Sequence, residues 1–178
     1  MCLWSRREIA LRTKSRVYQA VVRSILLYSC ETWPVRVADL KKVEVFDNDC
    51  FRRIDRVRTS TLRQTCRLQP IPAALRLRRL RWFGHAARRP PGELVRDCLL
   101  PKPLPGWRKR AGGQLKTWAT TLKEDLEPIS GPNVVGLRRW NRDWAEIGVE
   151  LAQDRRSWAA AGRDASNVLG DAGSTRPG

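Results

Sequence analysis

The sequence predicts an all-α protein of four to five amphipathic helices, and three observations lead there. Apolar residues recur at spacings of three and four along most of the chain, the repeat of a helix with one buried face. No stretch shows a convincing alternation with the period of a half-buried strand. Proline and glycine collect between the periodic stretches and punctuate them. The 178 residues suffice for one domain with a real core, or for two small helical units joined by a linker. With 42% apolar and 30% charged residues the composition is globular.

The first helix is expected from about Thr13 to Cys30, with Val17, Val21 and Ile25 on one line and Tyr18, Val22 and Leu26 beside them; Pro34 ends it. A second begins near Asp39, a good N-cap residue, and carries Leu40, Val43, Phe46, Cys50 and Ile54 on one face, to pack on the first. A shorter helix is expected from Ser60 to Leu68. Pro70 and Pro72 open the next and Pro90, Pro91 and Gly92 close it. The run PKPLPGWRKRAGG reads as a linker. Gln114 to Glu127 follows, with Leu115, Trp118, Leu122 and Leu126 aligned and Pro128 as its stop. The last helix, Trp140 to Ala160, aligns Trp140, Trp144, Ile147, Leu151 and Trp158. Trp118, Leu122, Trp144 and Leu151 are expected in the core. The organisation is thus helices over 1–58, a basic helical segment over 59–100, a Pro/Gly-rich basic linker over 101–113, C-terminal helices over 114–161 and a disordered tail over 162–178.

The formal charge is +17, and its placement is more telling than its size. Residues 52–89 hold twelve Lys or Arg against one acid, and residues 102–116 hold five against none. The flanking stretches are nearly balanced. A basic middle of this kind attracts polyanions. The five cysteines are odd in number and widely spaced, Arg6, Arg7 and Glu8 interrupt the one candidate for a secretory leader, and no apolar run nears the roughly 20 residues of a membrane span. The expectation is a chain with reduced thiols in the nucleus or cytoplasm, not secreted.

The stretch RLRRLRWFGHAARRPP (Arg76 to Pro91) holds six arginines and the only histidine. At about 100° per residue, Leu77, Leu80, Phe83, Gly84 and Ala87 fall on one side. Arg78, Arg81, His85, Arg88 and Arg89 gather on the other, with Trp82 at the edge. No acid within the helix can neutralise that face by pairing, whereas phosphates accept arginine forks and release counterions. Trp82 adds a surface for stacking on a base. His85 has no carboxylate or nucleophile near it in sequence, so it reads as a phosphate contact, not a general base. The candidate nucleic-acid-binding residues are therefore Arg78, Arg81, Trp82, His85, Arg88, Arg89, Arg108, Lys109 and Arg110. No metal-ligand spacing occurs, and Asp47 and Asp49, two apart on a helix, point in different directions and read as solvated acids. No catalytic residue, metal ligand or cofactor is expected.

The string LRTKSRVYQAVVRSILLYSCETW (Leu11 to Trp33) resembles the region just after the palm in reverse transcriptases of non-LTR, LINE-type (RTE-like) retrotransposons, where a Lys, a Tyr and then LLYGxETW recur. The likeness continues through LKKVEVFDNDCFRRI, RRLRWFGHAARRP, GGQLKTWATTLKEDL and LAQDRRSWAA, and so covers nearly the whole chain in order. Ser29 stands where the family often has Gly, and Gly113 and Gln114 where Gly-Arg-Pro is common. The resemblance implies a helical thumb from about Leu11 to Ile54 that grips template and primer, followed by a basic helical C-terminal segment. The parent family has RNA-directed DNA polymerase activity and usually an endonuclease domain. Its catalytic aspartates and Mg²⁺ site sit on the palm, in an Asp-Asp motif that this chain lacks. The function expected is that of a non-catalytic fragment that binds RNA, DNA or both, with a full-length reverse transcriptase in trans as a further partner. Two alternatives stand beside it: a non-functional retroelement remnant, and a basic amphipathic binder of anionic membrane or acidic protein.

Overall fold

Tyr18 and Arg23 are five residues apart, yet both side chains reach the same carboxylate, that of Asp47. A regular α-helix sets residues at that spacing about 140° apart. The chain meets the demand by changing helix type. The computed structural model has α1 over Leu11–Val17, a π-helical stretch over Tyr18–Arg23, and α2 over Ser24–Leu26. Hydrogen bonds from i to i+5 bring such residues onto one face. The helix ends at Leu26 instead of near Cys30, and a 3-10 turn follows over Cys30–Thr32. Tyr18 is buried, while Val21 and Ile25 of the expected apolar line face solvent.

The structure describes residues 4, 6, 8–54, 59–66, 68–99, 105, 106, 112 and 116–172, with the side chains of 59–62 and 168–172 excepted. Among them the regular elements are all helical, with no strand. After α2 come α3 (Val37–Ile54), α4 (Thr59–Cys66), α5 (Ile71–Ala87), α6 (Leu94–Asp97), α7 (Trp118–Ser130), α8 (Pro132–Val135), α9 (Leu137–Leu151) and α10 (Arg155–Ala172). The chain forms two compact units. One comprises Met1–Cys30, Arg36–Leu75 and Asn167–Gly178, and the other Glu31–Val35 and Arg76–Ser166.

In the first unit Tyr18, Phe51, Ile54 and Leu68 form the core, with Leu11, Val22 and Cys50 packed against it. Tyr18 and Phe51 meet as tilted rings 4.7 Å apart. The buried stripe of α3 runs through Asp47, Phe51 and Ile54. Phe46, expected inside, is exposed. Asp47 is fully buried, which corrects its reading as a solvated acid. Its Oδ1 accepts from the Tyr18 hydroxyl at 2.8 Å and lies 3.3 Å from Arg23 Nε, and its Oδ2 lies 3.4 Å from Arg63 Nη2. A carboxylate this deep is tolerable only with such partners.

The second unit buries Leu80, Phe83, Ala86, Leu122, Leu126 and Trp140 around Trp158. Several boundaries differ from expectation. Helix α7 starts at Trp118, where the Thr117 hydroxyl caps it by accepting from Thr120 N–H, and it runs through Pro128 to Ser130. The last expected helix is two, broken at Ala152–Asp154, and α10 carries the chain past Gly162 to Ala172, through residues expected to begin the tail. Residues 173–178 and most of the 101–113 linker lie outside the described residues. Leu122 is buried and Trp118 and Trp144 pack half-buried on the core, but Leu151 is 43% exposed and not a core residue. Gly136, with φ of +85°, makes the sharp turn from α8 into α9 that a side chain would strain.

Candidate nucleic-acid interface

Helix α5 is a central element, not a surface one. Pro72 sits in its first turn, where a missing N–H is harmless, and Leu, Ala and Arg propagate it. Of its residues from Ile71 to Ala87, only Arg81 and His85 are exposed. The cationic face expected from helical rotation is therefore much narrower than the sequence suggests. Arg76 and Arg79 turn inward onto Asp125 of α7, at 3.1 and 2.5 Å, and Arg76 also donates to the Ala165 carbonyl at 3.1 Å. The acid that α5 lacks comes from a helix some 46 residues away in sequence. Arg78 is half-buried.

Past the end of α5, arginines meet carbonyls. Arg88 Nη1 donates to Ala152 O at 2.7 Å, at the C-terminus of α9, where unpaired carbonyls favour a cation. Arg96 Nη1 donates to Arg89 O at 2.7 Å. Arg89 itself lies 3.8 Å from Glu93 Oε2, and its Nη2 donates to His85 Nε2 at 3.1 Å. Because a guanidinium only donates, His85 Nε2 must accept, and a neutral His85 carries its proton on Nδ1.

Trp158 of α10 lies across α5. Its Nε1 donates to the Leu80 carbonyl at 2.9 Å, and its ring is 5.7 Å from that of Phe83. The approach requires Gly84, because a Cβ there would sit 2.2 Å from Trp158 Nε1. Asp154 fixes where α10 begins. It accepts from the Ser157 hydroxyl and, at 3.0 Å, from Arg156 N–H. The Ser157 bond first, then the backbone amides of Arg156 and Ser157, hold its carboxyl below the usual carboxylate range. This cap sets Arg155 on the first turn of α10, facing α5.

Between α5 and α10 opens a pocket of about 290 Å³. Its buried lining is apolar: Leu77, Leu80, Trp158 and Gly162, with half-buried Ala159. Arg81, His85 and Arg155 line it as exposed residues and Arg88 as a half-buried one. Among the described residues no acidic side chain lines it. The structure thus gathers three of the candidate binding residues, Arg81, His85 and Arg88, at one site and adds Arg155. Arg78 and Arg89 do not line it. Trp82 is half-buried, edge-on to Trp118 with ring centroids 5.5 Å apart. Arg108, Lys109 and Arg110 lie outside the described residues.

Comparison of the chain with protein-family models, curated proteins and solved structures finds no match in any of the three.

Other chemistry finds little footing among the described residues. No group of three or more His, Cys, Asp or Glu side chains is placed to hold a metal ion. Asp47 is committed to Tyr18 and two arginines, and Asp49 pairs on the surface with Arg52 at 3.3 Å, so the two do not form a metal-binding pair. Cys50, Cys66 and Cys98 are free thiols, and burial pushes the Cys50 thiol up, away from the reactive thiolate. Among the described residues no helix is long and apolar enough to cross a membrane.

Proposed function

We propose that this chain is a non-catalytic nucleic-acid-binding unit, the thumb and downstream region of a retrotransposon-type reverse transcriptase. The observation that carries the binding is the convergence of Arg81, His85, Arg88 and Arg155 on one pocket with no acid among the described residues of its lining. Guanidinium groups held together without a counter-charge repel one another, and a phosphate relieves that repulsion while accepting their forked donors. Two details fit the resemblance. Ser29, where the family often has Gly, has φ of +55°, the left-handed region that glycine favours. Gly84 of the WFGH string is the residue that Trp158 needs in order to pack.

The membrane-surface alternative draws less support. A helix that lies in a bilayer interface must offer its apolar face, and Leu77, Leu80 and Phe83 are buried within the protein. The test is a salt titration with RNA and with DNA. Binding with a steep negative slope of log affinity against log salt is the expected result; a flat slope, or no binding at low salt, would overturn the proposal.

A further inference from the structure

We infer that the pocket between α5 and α10 takes a single unpaired nucleotide, its phosphate on the arginines and its base against the apolar lining. The inference rests on the proposed nucleic-acid binding and narrows it to strands whose bases are free. The pocket has two chemistries in one enclosure: basic groups at the opening and a buried surface of Leu77, Leu80 and Trp158 below. A bare phosphate would use the first and leave the second hydrated. A duplex presents phosphates on its outside with its bases stacked away from protein, and so also leaves the apolar lining unfilled. An unpaired nucleotide carries an anion and a flat apolar ring a few ångströms apart, and about 290 Å³ is of the order of a small ligand site.

Polarity inside the pocket is already spent in ways that suit an apolar guest. Trp158 Nε1 is bound to Leu80 O and Arg88 Nη1 to Ala152 O, so the walls have fixed positions. Gly162 adds no side chain, so bare backbone forms the wall at that point, and a Cβ there would come into ordinary contact with Leu77 and Leu80 at 3.8 Å.

The experiment compares three ligands of equal phosphate count at one salt concentration. They are a single-stranded oligonucleotide, the same strand with abasic residues throughout, and a blunt duplex. Stacking of one base in a protein site brings about tenfold in affinity. The base-containing strand is therefore expected to bind the intact chain at least about fivefold more tightly than the abasic strand. Ala159→Phe, which projects a ring into the pocket, is expected to bring that ratio close to one, with circular dichroism verifying the helical fold; Ala159→Leu serves if the larger residue unfolds the chain. A smaller ratio in the intact chain, or a ratio that survives in the folded filled-pocket variant, overturns the inference and leaves phosphate binding standing. Failure of all three ligands to bind overturns the binding proposal as well.

Discussion

Arg79 Nε donates to Asp125 Oδ2 at 2.5 Å, and both side chains are buried, so an arginine from the most basic stretch of the chain serves the interior of the fold. Arg76 joins the same carboxylate at 3.1 Å. Removing Asp125 strands two guanidinium groups. Asp125→Ala is expected to destabilise the second unit by about 3–5 kcal/mol, the cost of leaving a buried charge unpaired. Arg81→Ala, at an exposed site, should stay within about 0.5 kcal/mol. Urea unfolding followed by circular dichroism separates the two; equal effects would mean that Arg79 and Arg81 are not divided between interior and surface as described.

Binding should show the reverse order. Arg81→Ala and Arg155→Ala each remove one phosphate contact and are expected to lower the salt slope by about 0.7 on single strands. Arg155 lies in the nearly balanced C-terminal part of the chain, so an effect there as large as that of Arg81 would not follow from charge distribution along the sequence. It follows only if α10 helps to build the pocket.

Gly84→Ala sets helix propensity against packing. Alanine favours the helix by about 1 kcal/mol. Its Cβ would lie 2.2 Å from a buried, hydrogen-bonded indole, and such overpacking costs about 1–3 kcal/mol. Net destabilisation is expected, together with weaker strand binding, because Trp158 is a wall of the pocket. A more stable Gly84→Ala chain would show that the indole yields.

Alkaline pH should act on the first unit through Tyr18. Burial, and then the charge of Asp47 beside it, raise the phenol well above its ordinary value. A raised folded-state value means that the stabilisation is complete below the unfolded value, about pH 10, and is lost as pH rises beyond it. Tyrosinate absorbance from Tyr18 should therefore appear together with loss of helix above about pH 10. Tyr18→Phe should abolish that step. Ionisation of Tyr18 while the helices persist would contradict the buried arrangement.

Ser29→Gly is expected to stabilise the chain. A left-handed residue with a Cβ costs roughly 1–2 kcal/mol, part of which glycine returns through its freer unfolded state. A gain of up to about 1 kcal/mol in thermal unfolding is the result anticipated. A loss would mean that the Ser29 side chain contributes more than its backbone conformation costs.

The all-helical fold and most helix positions were legible because they are written in local periodicity and punctuation. α5 was bounded by its prolines, and α3 by its apolar repeat. The failures have local causes too. Period 3.6 was applied to Tyr18–Arg23, where the helix has another period, and this put Val21 and Ile25 on the inner side. The break at Ala152–Asp154 had a sequence signal in Asp154, a strong N-cap residue followed by Ser157, that the longer aromatic stripe overrode. Helical rotation set Arg78 and Arg81 apart from Arg76 and Arg79, but gave no sign of what the latter pair meets. Arg76 and Arg79 differ from Arg78 and Arg81 by what stands opposite them, and Asp125 and Ala165 are far away in sequence. The same distance hid Arg155 from the candidate site.

The π turn has a consequence of its own. It takes up one residue more than an ordinary turn would, and its wider winding is what lets Tyr18 and Arg23 grasp Asp47 together at a spacing of five. Winding the same residues at ordinary pitch would set the two about 140° apart and take Arg23 from its carboxylate, although every side chain of the contact was still present. Excising exposed Val21 would instead leave them four apart, about 40° around a regular helix and so again on one face. Over this stretch length and winding are bound together: the longer segment demands the wider turn, and a segment one residue shorter would fit the ordinary one.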